Sequence, residues 1–150
     1  MQAPYLAFML TVSQFYHLPP RVLPSIQVVE AGQPGTISHN FNGTGDLGVM
    51  QVNSTWVPYL AKAWTITPRE VAERLIRDPY FNIVAAGAIM RIYMDEAHNN
   101  VAQAVGYYHS HTPWRAGVYQ VQVIRASFAL FGRPPPNRPK LHREVARADP

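Results

Sequence analysis

The chain has 150 residues, 47% of them hydrophobic and 11% aromatic, which is enough for one domain with a buried core. No stretch approaches the roughly 18 uninterrupted apolar residues of a membrane span, and the absence of cysteine excludes a disulfide framework and any thiolate zinc site. The formal charge of +4 is unevenly placed: residues 133–150 hold five basic and two acidic side chains, leaving +1 for the body, and no basic stripe interleaved with aromatics follows any one segment, so nucleic acid is not an expected partner.

In chain order, the apolar start from Met1 to Val12 lacks the basic n-region and small-residue cleavage site of a signal peptide and reads as a first helix. Pro19-Pro20 then breaks the chain. A second helix over 21–31 carries Leu23, Ile26 and Glu30 along one face, with Gly32 beyond its end. Between 33 and 48 no apolar alternation is long enough for a core strand, and Gly35, Asn42, Gly43 and Gly45 indicate an irregular loop or short hairpin. Thr67-Pro68-Arg69-Glu70 is a capping box with proline at the first helical position, predicting a helix over 67–77 with Val71, Leu75 and Ile76 as its apolar face. Asp78-Pro79 opens a long central helix whose apolar run, Ile83 to Met94, includes Ala85, Ala86, Gly87 and Ala88, small enough for close packing. A helix over 100–108 follows. Thr112-Pro113 starts the last one, where Val118, Val121, Ile124, Arg125 and Phe128 recur at helical spacing until Gly132. The expected architecture is mainly α, one domain over 1–132 without internal repeats, followed by a flexible proline-rich basic tail over 133–150.

The candidate chemistry centres on two carboxyl groups. Glu30 ends an apolar helical turn, which disfavours the charged form, whereas Asp46, sixteen residues on, lies in a polar glycine-rich loop. The two are expected to titrate apart, as glycosidic bond cleavage requires of its acid and its charged partner. The alternative for Glu30 is a partly exposed residue paired with Arg21 or Arg125. Other motifs fit less well. Gly43-Thr44-Gly45-Asp46-Leu47-Gly48 matches G-x-G-x-x-G, but no buried strand precedes it. His109 and His111 diverge if helical and no H-E-x-x-H is present, so neither a metal nor another cofactor is expected. None of Ser25, Ser38, Ser54, Ser110 and Ser127 sits in a nucleophile elbow.

The segment from Glu30 to Asn53 resembles the lysozyme-like lytic transglycosylases (SLT domain), which carry a glutamate at a helix end, then a loop and a G-x-M-Q-x-N block, here Gly48-Val49-Met50-Gln51-Val52-Asn53. The run Asn42-Gly43-Thr44-Gly45-Asp46-Leu47 ahead of it is similar to the N-G-T-x-D-[IL] loop of the small transglycosylases associated with type III and type IV secretion and conjugation. Asp78-Pro79-Tyr80-Phe81-Asn82 is similar to their D-P-x-x-N start of the central helix, and Val105-Gly106-Tyr107-Tyr108-His109-Ser110 to their V-G-x-Y-H-S segment. The likeness covers about residues 6 to 128. It departs at Ala31, where relatives commonly have serine or glycine, and at Tyr80, where some exported relatives have cysteine.

This resemblance implies a lysozyme-like globular fold and a peptidoglycan lytic transglycosylase. Glu30 would protonate the oxygen linking N-acetylmuramic acid to N-acetylglucosamine, the substrate's acetamido group would stabilise the cationic centre, and the charged Glu30 would take the C6 hydroxyl proton as a 1,6-anhydro ring closes. A hydrolytic muramidase and a noncatalytic glycan-binding component of a secretion machine are the alternatives. Asp46 then stabilises positive charge, orients a hydroxyl, or caps a helix over 47–53. Tyr108 is expected to face Glu30, Met50 and Gln51 to line the cleft, Ser38 to touch the substrate or the glutamate, and Asn53 to order the loop beside the sugar. His109, Tyr107 and Trp56 are further sugar-contact candidates, although aromatics of this kind pack in cores as readily. The implied partners are peptidoglycan glycan strands and components of a secretion or conjugation apparatus, met by a monomer in the periplasm or cell envelope.

Overall fold

The computed structural model describes residues 3–135, and within them seven α-helices accompany a small three-stranded antiparallel sheet. The mainly α architecture expected from the sequence is the one found. Helix α1 (Leu6–Phe15) begins later than the apolar run because Pro4 and a left-handed Tyr5 (φ 60) precede it. Helix α2 spans Val22–Glu30. The glycine-rich segment is ordered as a hairpin, β1 (Ile37–His39) and β2 (Gly45–Leu47), with a third strand, β3 (Val52–Asn53), on the other side of β2.

The helix expected over 47–53 does not form. Leu47 ends β2, and residues 48–51 make a turn in which Gly48 (φ +69) and Gln51 (φ 51) are both left-handed, a conformation that a right-handed helix does not contain. A Cβ on Gly48 would lie 2.1 Å from the Leu75 carbonyl oxygen, so the position demands glycine for its contact as well as its backbone. A 3-10 turn (Ser54–Trp56) leads directly into α3 (Val57–Trp64), a helix not expected from the sequence. Its start carries no side-chain cap from Trp56, and it is held instead by burial of Leu60 and Ala61.

The remaining helices start where the capping signals put them: α4 (Pro68–Arg77), α5 (Pro79–Glu96), α6 (Val101–His109) and α7 (Pro113–Phe131). Thr67 Oγ1 accepts from the Glu70 amide at 3.1 Å, Asp78 Oδ1 from Tyr80 and Phe81 at 3.0 and 3.1 Å, and Asn100 Oδ1 from Gln103 at 3.1 Å. Such caps are worth about 1 kcal/mol each. Helix α5 is the buried centre, with Ile83, Ala85, Ala86 and Met90 fully enclosed. The small residues serve close approach, since a Cβ on Gly87 would sit 2.5 Å from Val12 of α1.

At its start, α5 also fastens the turn after β2. Asn82 is fully buried; its Nδ2 donates to the Leu47 and Leu75 carbonyls at 2.7 Å each, and its Oδ1 accepts from the Met50 amide at 2.9 Å. One side chain thus ties β2, the 48–51 turn and the end of α4 to the central helix.

The face expected to be apolar on α7 is not the one that packs. Val118, Val121, Ile124 and Phe128 are 56, 48, 46 and 37% exposed, while Ala116, Tyr119, Val123 and Ala126 are buried. The reason is steric. Helices α6 and α7 meet through small residues, where a Cβ on Gly106 would come within 2.9 Å of that of Ala116, and a bulkier stripe would hold them apart. From residue 136 onward the expected basic tail lies outside the described residues. No described helix is long and apolar enough to cross a membrane.

Candidate active site

Helix α2 delivers Glu30 to the floor of a cleft of about 490 Å³. The helix stops there because Ala31 takes a left-handed conformation (φ 51), its amide donating to the Gln27 carbonyl at 2.8 Å. Gly32, expected only as a stop signal, also serves packing. A Cβ there would lie 2.1 Å from the Gly48 carbonyl oxygen, so glycine lets the end of α2 press against the turn after β2.

The Glu30 carboxyl is raised from its ordinary 4.5 to about 7. Burial is the largest cause, since it penalises the charged form; a hydrogen bond from Tyr119 opposes it, and the charge of Asp46 adds to it. That hydrogen bond runs from Tyr119 Oη to Glu30 Oε1 at 2.5 Å, across from α7. Neither Arg21 nor Arg125 pairs with Glu30; Arg21 donates to the Gly132 carbonyl at 2.8 Å. Burial and the neighbouring Glu30 charge push the Tyr119 and Tyr108 phenols well above their ordinary range, so both are hydrogen-bond donors at neutral pH. Tyr108 uses its hydroxyl on the Met50 carbonyl at 2.8 Å, not on the carboxyl.

Asp46 occupies the central strand, with Ser38 and Asn53 as its register partners on either side. Side chains at such positions share a face, and Asn53 Nδ2 accordingly donates to Asp46 Oδ1 at 2.9 Å. Asn40 Nδ2 donates to Oδ2 at 3.0 Å from beside the hairpin tip. Both amides also donate to Thr44 Oγ1 at 3.1 Å, so the carboxylate is held in one orientation by a closed network. Asp46 caps no helix. Asn53 does the local capping instead, its Oδ1 accepting from the Thr55 amide at 3.0 Å ahead of the 3-10 turn.

Glu30, Asp46, Gln51, Asn53, Tyr108 and His109 all line the cleft. Met50 does not: its side chain is fully buried beneath the turn, because residues 48–51 fold back as a turn and not a helix, and only its carbonyl supports the site. Ser38 is exposed on the edge strand beside Asp46, outside the cleft lining. Gln51 spends its amide on the Gly48 carbonyl at 3.0 Å, which steadies its own left-handed backbone. Trp56 and Tyr107 reach the cleft wall, joined by Tyr93 and Phe41, neither of which was expected there. Phe41 was detectable as a lone aromatic among polar and glycine residues, and it is fully exposed at the hairpin tip. Tyr119 was hidden because it lies off the apolar periodicity that α7 displays.

Replacing Tyr119 with phenylalanine removes a donor that favours the ionised carboxylate, so the Glu30 pKa is expected to rise further above about 7. The alkaline limb of any activity that needs the Glu30 proton should then move to higher pH, by about one unit for a lost charge-assisted hydrogen bond. A pH–rate profile superimposable on that of the wild type would remove Tyr119 from this role.

Residues 9–112 match the family model described as Transglycosylase SLT domain. The chain is also similar to the Invasion protein IagB of Salmonella typhimurium strain SL1344, with 32% identity over 87 residues that cover 57% of this chain and 50% of that protein. The IagB proteins of Salmonella typhimurium strain LT2 and of Salmonella typhi match to the same extent. The chain thus spans about half the length of the curated relatives it matches.

Proposed function

The chain belongs to the transglycosylase SLT domain family, and from that premise we propose that it cleaves peptidoglycan as a lytic transglycosylase. The observation that carries this is Glu30, a carboxyl kept protonated to about pH 7 by burial, at the floor of an open polar cleft, with a phenol donor on one oxygen. Such a group gives a proton to a departing glycosidic oxygen near neutral pH and accepts one afterwards.

In the proposed sequence, Glu30 protonates the oxygen that links N-acetylmuramic acid to the next N-acetylglucosamine, and the bond from that oxygen to the muramyl C1 breaks. The acetamido carbonyl oxygen of the same muramyl residue closes on C1. The Glu30 carboxylate then takes the proton of the C6 hydroxyl, O6 displaces the acetamido oxygen, and the 1,6-anhydro product leaves. No water is consumed, and Glu30 ends protonated as it began. Asp46 is assigned to stabilising positive charge as C1 becomes cationic, with Asn40 and Asn53 fixing its orientation. Gln51, Asn53, Tyr108 and His109 are assigned to the sugar-binding wall. The catalytic unit is residues 1–132 acting as a monomer in the cell envelope, at the wall. The setting we propose is local wall opening for a secretion or conjugation apparatus; the curated relatives carry the name invasion protein.

Digesting purified peptidoglycan and separating the products by mass spectrometry tests the reaction. Anhydro-muropeptides are expected. Reducing-end products would replace the lyase with a hydrolytic muramidase, and no product at all would favour a glycan-binding role. Under the same assay, Asp46→Asn removes the charge and sets an amide donor against the Asn40 or Asn53 Nδ2, and is expected to lower turnover by about 10- to 100-fold. Near-normal turnover would leave Glu30 to act alone.

A further inference from the structure

The charges around the cleft are segregated. Its carboxyl groups, Glu30 and Asp46, come from α2 and β2, whereas the basic side chains among its described lining residues, His109, His111 and Arg115, come from the end of α6, the connection after it and the start of α7. Two of the three are engaged already. The His109 ring stacks on Tyr119 with centroids 4.9 Å apart, and His111 stacks on Tyr107 at 4.2 Å while its Nε2 lies 2.8 Å from Glu96 Oε1.

Arg115 is different. It is exposed, permanently charged, and among the described residues it pairs with no carboxylate; its guanidinium carbon lies 5.3 Å from the Trp114 ring centroid. It lies four positions before Tyr119, so the two share one side of α7, and Arg115 stands about one helical turn, about 6 Å along the axis, from the residue that touches the Glu30 carboxyl. A planar fork of donors, rooted on a packed helix among the lining of a ligand cleft and without a carboxylate partner among the described residues, fits a carboxylate supplied by the ligand.

The sugar rings of peptidoglycan are uncharged. Its carboxylates lie on the peptide carried by the lactyl arm at C3 of N-acetylmuramic acid, or on the arm itself where no peptide is attached, because the peptide is joined to it as an amide. We propose that Arg115 is the residue by which the cleft recognises a carboxylate of the stem peptide carried by the muramyl lactyl arm, and that it thereby selects peptide-bearing strands over neutral glycans. This rests on the peptidoglycan substrate proposed above.

The test compares wild type, Arg115→Gln and Arg115→Lys on four substrates: peptide-bearing strands, the same strands with their carboxyls amidated, peptide-free strands that retain the lactyl carboxylate, and chitin oligomers. Arg115→Gln is expected to lower kcat/KM about fivefold on peptide-bearing strands, mainly through KM, and by under about twofold on amidated strands, peptide-free strands and chitin, as for loss of one solvent-accessible charge pair. Arg115→Lys should fall between, because it keeps the charge and loses the fork. A loss confined to peptide-bearing strands assigns the stem peptide; an equal loss on peptide-free strands overturns that assignment in favour of the free lactyl carboxylate. Equal losses on free and amidated strands, or none, overturn the proposal. If wild type cleaves no strand, the proposed reaction fails, and calorimetric titration still decides about Arg115. The disaccharide-peptide should then bind more weakly to Arg115→Gln than to wild type while its amidated form binds both alike; equal binding of the free-acid form to both overturns the proposal.

Discussion

Glu30→Gln is expected to lower the release of anhydro-muropeptides by about 10³-fold, the scale of a lost general acid that also serves as base. The substitution preserves shape and an acceptor for Tyr119 Oη while removing the transferable proton. Wild-type cleavage should itself decline as pH rises through about 7, where Glu30 loses that proton. The same shift makes a stability prediction, in which the amide variant gains where it loses activity. Between 4.5 and about 7 the folded protein binds more protons than the unfolded chain, so the contribution of Glu30 to stability falls as pH rises through this window and is lowest above it. The span is worth roughly 3 kcal/mol. Above pH 7 the amide variant should therefore unfold at a higher temperature than wild type, and the gap should close as pH falls toward 4.5. Retained product yield would overturn the site assignment, and parallel pH–stability curves would contradict the buried, destabilised carboxylate.

Asn82→Ala is expected to be the most damaging single change to the scaffold. It deletes three hydrogen bonds and leaves the Met50 amide and the Leu47 and Leu75 carbonyls without their partner in the interior. At about 1–3 kcal/mol for each buried group left unpaired, partly relieved by relaxation, the loss should be about 4 kcal/mol. Urea unfolding at constant pH measures it as a lower midpoint with an unchanged slope. Activity should fall as well at temperatures where the variant is still folded, because the same turn presents Gln51 and the Met50 carbonyl on which Tyr108 rests. A midpoint within experimental error of the wild type would dismiss Asn82 as the fastener of this turn.

The helix starts were legible because each is written locally: Thr67, Asp78 and Asn100 supply their caps within three residues of the groups they satisfy. Glu30 was legible for a related reason, since helical period and a following stop put a carboxyl on an apolar face at a chain reversal. Where local signals were weak, prediction failed in both directions. Helix α3 has no cap to announce it, and the 47–53 helix was expected from the presence of Asp46 when left-handed Gly48 and Gln51 dictate a turn.

Fold class, the order of most helices and the identity of both cleft carboxyls are written in the chain itself, because capping, periodicity and the G-x-M-Q-x-N block act over a few residues. The surroundings of those carboxyls come from packing between distant segments. Tyr119 reaches Glu30 from 89 residues away, and Asn53 and Asn40 clamp Asp46 through strand register. Asn82 holds the turn from another helix. These contacts depend on which face of each helix packs. On α7 that face was chosen by the small residues Gly106 and Ala116, which allow close approach, over the larger apolar side chains that periodicity favours.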